Sequence, residues 1–205
     1  LAVLTTDPDD SGAIRVTLAV AEESIQKPVI RCDESLYYDM LSAFCKSLRG
    51  SDSDAALAWF ARLIYAGVDP RIIARRLIAH ASEDVGMADS RALDVCVAAF
   101  QACHLIGMPE CSVHLTEAVV YMSMAPKSNA MDVAYLEAKQ DALQQLDEPV
   151  PLNIRNAPTG LMKDLGYGKG YQYAHDYESK LTSMQCLPDS LLGREYFRPT
   201  EQGLE

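Results

Sequence analysis

The chain has 205 residues, a formal net charge of −11 and 49% hydrophobic content, enough for a buried core in one domain or two. The acidic balance argues against a surface built for general phosphate binding and makes tight association with duplex DNA a poor expectation, since local basic patches would have to outweigh it. No apolar run reaches the ~18 residues of a membrane span, no basic segment precedes an apolar stretch at the start, and the six cysteines form no C-x-x-C pair, so a reducing cytoplasm is expected.

Along residues 1–30 the pattern is irregular. Asp7-Pro-Asp-Asp-Ser-Gly12 is a turn cluster, and Ile14–Val20 suits either a strand or the start of a helix. From residue 35 the apolar spacing becomes helical. Leu36, Met40, Leu41, Phe44 and Leu48 share one face of a helix predicted over 35–49, with Gly50 as its stop. Ser51-Asp-Ser-Asp54 resembles a capping box for a second helix over 52–66, whose stripe is Leu57, Phe60, Ala61 and Ile64. Asp69 and Pro70 supply an N-cap and an N1 proline for a third over 70–82, with Arg71, Arg75 and Arg76 opposite the apolar side.

Asp89 caps a fourth helix that Gly107 ends, Pro109 opens a fifth that stops at Pro126, and Ser128 caps a sixth that runs to Asp147-Glu148. After Pro149 and Pro151 the chain reads mostly as loop, with a short helix over 159–165. There is no repeat and little strand alternation, so the fold class is all-α.

The residues with chemical potential favour structural roles. Cys96, Cys103, His104, Cys111 and His114 carry zinc-ligand chemistry, but only Cys111 and His114 are closely paired, and thiols inside apolar helical patterns behave as small hydrophobes. His80 beside Glu83 and Asp84 reads as a helix C-terminus whose imidazole meets the last carbonyls. Gly166-Tyr-Gly-Lys-Gly-Tyr171 fails as a phosphate loop, because Lys169 is followed by glycine rather than a hydroxyl and no apolar strand precedes it. The same stretch, from Arg155 to Tyr177, interleaves glycines and tyrosines with Arg155, Lys163 and Lys169, the composition of a contact surface. Arg155, Tyr167, Lys169, Tyr171 and Tyr173 are its candidate subunit or partner contacts. No catalytic, cofactor-binding or metal-binding residue is assigned.

Arg49-Gly-Ser-Asp-Ser-Asp-Ala-Ala-Leu-Ala-Trp59, Ile73-Ala-Arg-Arg-Leu77, Ala81-Ser-Glu-Asp-Val-Gly-Met-Ala-Asp89, Ala118-Val-Val-Tyr121, Ala125-Pro-Lys-Ser-Asn-Ala130 and Arg155-Asn-Ala-Pro-Thr159 through His175-Asp176 resemble the C-terminal half of the replication-associated recombination ATPases of the RarA (MgsA) family, kin to the eukaryotic Werner-helicase-interacting ATPases. The resemblance covers about residues 35–205, and Tyr196-Phe-Arg-Pro-Thr200 with Gly203-Leu-Glu205 looks like the bacterial form, in which more chain follows.

The resemblance implies a clamp-loader-like AAA+ protein: an N-terminal ATPase module, a helical lid, and an all-α collar-like domain through which subunits assemble, as tetramers in bacteria. By that layout residues 1–67 are the end of the lid and 68–205 the oligomerisation domain. The sequence has no Walker A, Walker B or arginine-finger segment, so ATP hydrolysis is carried onto no residue, and ATP and Mg belong to an N-terminal module expected upstream of Leu1. The family acts at stalled forks and on single-stranded or gapped DNA, with single-strand-binding protein as a partner. The competing readings are a stand-alone protein-binding module and an enzyme with a site around Arg155 and Gly166–Tyr171.

Overall fold

A computed structural model describes residues 7–25 and 33–205. The described residues form eight α-helices and no strand: α1 (Leu18–Ile25), α2 (Glu34–Arg49), α3 (Ser53–Tyr65), α4 (Pro70–His80), α5 (Arg91–Leu105), α6 (Cys111–Met124), α7 (Ala130–Gln144) and α8 (Gly160–Asp164). The fold is all-α, as the sequence predicts. None of these helices is long and apolar enough to cross a membrane. Of the uncertain opening, Asp7–Gly12 is a turn in which the Asp9 carboxylate accepts the backbone N–H groups of Ser11 and Ala13, and a helix starts at Leu18. Residues 1–6 and 26–32 lie outside the described residues.

Two compact units result. One comprises the described residues up to Met131 together with Thr200–Glu205, and the other comprises Asp132–Pro199. The lid boundary that the resemblance places after residue 67 lies within the first unit, at the Gly67 turn between α3 and α4.

In the first unit the helix starts follow the chemistry of the exposed N–H groups. Asp33, Asp52 and Asp69 each cap a helix by accepting a backbone N–H at 2.8–2.9 Å. Arg71 adds an ion pair to Asp69, and its hydrogen bonds with those of the Arg71 backbone hold the Asp69 carboxyl down at about 2. One stop differs from expectation: Gly50 has an ordinary φ of −78°, and the left-handed residue after α2 is Ser51, at φ 58°.

The core sits around α6. Its inner face, Cys111, Leu115, Ala118, Val119 and Met122, packs among Phe44 and Leu48 of α2, Phe60 and Leu63 of α3, Ile73 and Leu77 of α4, and Cys96 of α5, all buried. Cys103 and Cys111 pack together inside this core, and burial pushes the thiols of Cys96 and Cys103 up to about 12. His104 and His114 are exposed, so the five residues with zinc-ligand chemistry do not converge.

After α4 the helix widens into a π turn, Ala81–Val85, and tightens into a 3-10 turn, Gly86–Asp89. The wide turn lets the buried His80 Nδ1 bond the Asp84 carboxylate four residues on, rather than the last carbonyls, while Arg49 Nε donates to the other Asp84 oxygen at 2.8 Å. The Asp84 carbonyl accepts the Ser128 N–H at 2.8 Å, so one residue ties α2, α4 and the entry to α7. His80, Glu83 and Asp84 place ligand atoms within 4.8 Å of one another, but two of the three are consumed by this network.

The chain end closes the first unit. Leu204 N–H donates to the Ala88 carbonyl at 2.9 Å, and one oxygen of Glu205 accepts from Ser128 Oγ, Thr200 N–H and Thr200 Oγ1, each at 2.8 Å. Gly203, at φ 58°, lies so close that a Cβ there would overlap the Ala88 carbonyl. Only glycine fits.

Burial raises the Asp84 carboxyl, but hydrogen bonds from Arg49 and His80 outweigh it and hold the group below the ordinary carboxylate range. A depressed folded pKa contributes stability above the unfolded value and loses it as pH falls through the folded one. Asp84→Asn is therefore expected to lower stability at neutral pH by about 2–4 kcal/mol. The gap from wild type should close as urea midpoints are measured from pH 5 down to pH 2.

Candidate functional site

The second unit is built differently. Of its residues only Asp141 is buried, among the described residues, and that single buried group is charged. Asp141 accepts Arg194 Nη2 at 2.9 Å and Tyr196 Oη at 3.0 Å. One turn earlier on α7, Glu137 takes both terminal nitrogens of Arg198 at 2.8 and 3.0 Å, and the Arg198 bonds pull the Glu137 carboxyl down. Two carboxylates four residues apart on one helix face thus clip the returning segment 194–198 by side-chain hydrogen bonds.

The candidate contact residues lie in the chain between these anchors. Pro149 and Pro151 keep the backbone extended into a 3-10 turn at Leu152–Ile154. Arg155 follows and turns back: Nε donates to the Val150 carbonyl at 2.5 Å, Nη1 donates to Tyr167 Oη at 3.3 Å, and the guanidinium lies 5.2 Å from the Tyr167 ring centroid. This is a cation–π pair with a hydrogen bond at the ring's polar end.

Thr159 caps α8 by accepting the Met162 N–H at 3.3 Å. Beyond α8, Gly166, Gly168 and Gly170 all take left-handed φ, between 74° and 84°, which lets the chain coil tightly while side chains leave it between them. Gly168 N–H donates to the Leu152 carbonyl at 2.8 Å and fastens the coil to the 3-10 turn.

The five predicted residues therefore divide. Arg155 and Tyr167 are half-buried and bind each other, forming the frame. Lys169 is exposed and lines, with Arg155, Pro149, Pro151 and Pro188, an open cleft of about 450 Å³. Tyr171 and Tyr173 are more than half exposed, at 55% and 52%, and Tyr173 leans on His175 with ring centroids 5.1 Å apart.

In the same unit Leu143, Leu146, Leu161, Leu165, Leu181 and Leu192 are each at least 58% exposed. Glu137 and Asp141 escaped the sequence reading. The available signal was their i, i+4 spacing together with the alternation Arg194, Tyr196, Arg198.

Arg155→Lys keeps the charge and removes the planar fork and the stacking. It is expected to loosen the 150–168 coil by about 1–2 kcal/mol. Faster amide exchange should appear there with no change at α2–α6, measured by hydrogen-exchange mass spectrometry.

Residues 50–205 match the family described as the MgsA AAA+ ATPase C terminal. The chain is 48% identical over 170 residues to replication-associated recombination protein A of Haemophilus influenzae, covering 82% of this chain and 38% of that protein. It is 46% identical over 200 residues to the protein of the same name from Escherichia coli K12, covering 96% and 45%. It is 42% identical over 163 residues to ATPase WRNIP1 of Dictyostelium discoideum, covering 78% and 18%. The chain thus spans less than half the length of these relatives. On this match, which takes in both the α4–α6 core and the Arg155–Tyr167 coil, the chain belongs to the MgsA (RarA) family of AAA+ ATPases and carries its C-terminal region.

Proposed function

We propose that this chain is the self-assembly domain, tetrameric in its working form, of a clamp-loader-like, DNA-dependent AAA+ ATPase that acts at stalled forks in replication, recombination and repair. The observation that carries this reading is the second unit, Asp132–Pro199, which holds one buried side chain and displays its leucines and tyrosines to solvent. A folded segment that buries almost no apolar side chain is stable only if something else covers it, and in a homo-oligomer the cover is another copy. Tyr171 and Tyr173 have the amphipathic character of interface anchors, held out by the coil that Arg155 and Tyr167 brace.

The rest of the reading comes from the relatives' names and the family's layout. ATP and Mg would be held by the N-terminal module, with DNA and single-strand-binding protein as partners of the longer protein, in the cytoplasm at the replication fork or nucleoid. This chain's part in that reading is to bring the ATPase modules of several subunits together.

Light scattering on the purified chain at tens of micromolar tests the proposal, with a tetramer mass expected and a monomer overturning it. Tyr171→Ala with Tyr173→Ala is expected to weaken assembly by about 2 kcal/mol or more while leaving the melting temperature of the dissociated chain within a few degrees of wild type. Calorimetric titration should detect no saturable ATP binding, since Lys169 and Arg155 in their open cleft lack a helix N-terminus and a metal-binding hydroxyl beside them. Micromolar ATP affinity would move the function to that cleft.

A further inference from the structure

Three sulfur atoms meet at the corner where α5 gives way to α6. Cys103 lies in the last turn of α5, and Cys111 is the first residue of α6. Between them Gly107, at φ 78°, reverses the chain, and its carbonyl accepts the Cys111 N–H at 2.9 Å. The reversal brings Met108 to the start of α6, where Cys111 Sγ donates to Met108 Sδ at 3.4 Å. The Cys103 thiol hydrogen-bonds to the same Cys111. One buried thiol therefore touches a second thiol and a thioether.

Exposure is graded across the three. Cys111 is fully buried, Cys103 is 5% exposed and Met108 is 42% exposed, so Met108 is the member that solvent reaches. Packing accounts for the two cysteines as compact apolar fillers. It gives no reason for a methionine at the surface to turn its sulfur onto them.

The chemistry of the donors narrows what they could hold. His104 and His114 are exposed, which leaves two thiols and a thioether, a wholly soft set. Burial first, then the hydrogen bond to Cys111 and the negative charge of Asp69 at the start of α4, push the Cys103 thiol up to about 12. Such a thiol keeps its proton at neutral pH and is a poor nucleophile. It yields the proton only to an ion that binds sulfur more strongly than the proton does, which favours monovalent copper over the harder divalent ions. Cys111, at the N-terminus of a 14-residue helix, stands where the helix dipole favours an anionic sulfur.

We propose that Cys103, Cys111 and Met108 form a binding site for Cu(I) at the α5–α6 corner. The ion enters past Met108, bonds to both cysteine sulfurs and takes the thioether as its third ligand. Each thiol releases one proton and no electron is transferred, so the product is a copper(I) bis-thiolate of net charge −1. Bound there, the ion ties the end of α5 to the start of α6. This site is independent of the assembly reading.

The test uses a chain carrying Cys32→Ser, Cys45→Ser and Cys186→Ser, whose only cysteines are Cys96, Cys103 and Cys111. Cu(I) is titrated anaerobically in competition with the chromogenic chelator bicinchoninate, and thermal unfolding is followed by circular dichroism. One Cu(I) per chain is expected, with a rise of a few degrees in melting temperature that Zn(II) does not reproduce. Cys111→Ser should abolish the binding, and Cys103→Ala reads the same loss should the first variant fail to fold. Met108→Leu conserves volume and keeps the fold, and is expected to weaken binding about tenfold while leaving the metal-free melting temperature within a few degrees. No Cu(I) held against the chelator, or binding unchanged in Cys111→Ser and Met108→Leu, would overturn the site. An equal rise with Zn(II) would overturn the choice of a soft monovalent ion.

Discussion

Four helices share one inner surface. The buried face of α6 has to fill the space between α2, α3, α4 and α5 at once, and it does so with two large residues, Leu115 and Met122, among Cys111, Ala118 and Val119. Small and medium side chains let four neighbours approach closely, and such a site tolerates neither a cavity nor an added methylene well. The buried thiols fit the same logic as compact apolar fillers.

The second unit rests on a different physics. Its order comes from point attachments: the carboxylates of α7 on Arg194, Tyr196 and Arg198, Asn153 Nδ2 on the Gln185 carbonyl at 2.8 Å, and Arg155 on Val150 and Tyr167. Hydrogen bonds of this kind fix geometry at a net gain of only about 1 kcal/mol each. They hold a shape without supplying the burial energy that normally stabilises one, so the apolar side chains stay exposed.

Most helices of the first unit were legible because capping is local and burial is periodic. Asp69 announces its helix within two residues, the Ser51–Asp54 run contains the Asp52 cap, and Phe44 and Phe60 fall on the expected stripes, whereas the Asp33 cap was not read. The π turn was not legible: it comes with the His80–Asp84–Arg49 network, and Arg49 is 35 residues away from its partner. Asp141 was hidden for the same reason, with partners 53 and 55 residues on. In the Gly166–Tyr171 coil, which tyrosine braces and which faces outward depends on where Arg155 folds back, and spacing does not encode that.

The seat of Gly203 against Ala88 bears on how this chain is put together. The backbone leaves the first unit at Met131 and is sewn back into it at Thr200–Glu205, so Asp132–Pro199 is an insert closed at both ends. A doubly tethered segment has fewer unfolded arrangements open to it than a dangling tail, and part of the entropy of ordering it is met by folding of the body that holds its ends. The glycine thus works as a buttonhole. Replacing it would release the far end of the insert from the first unit, and the segment would lose one of its two tethers.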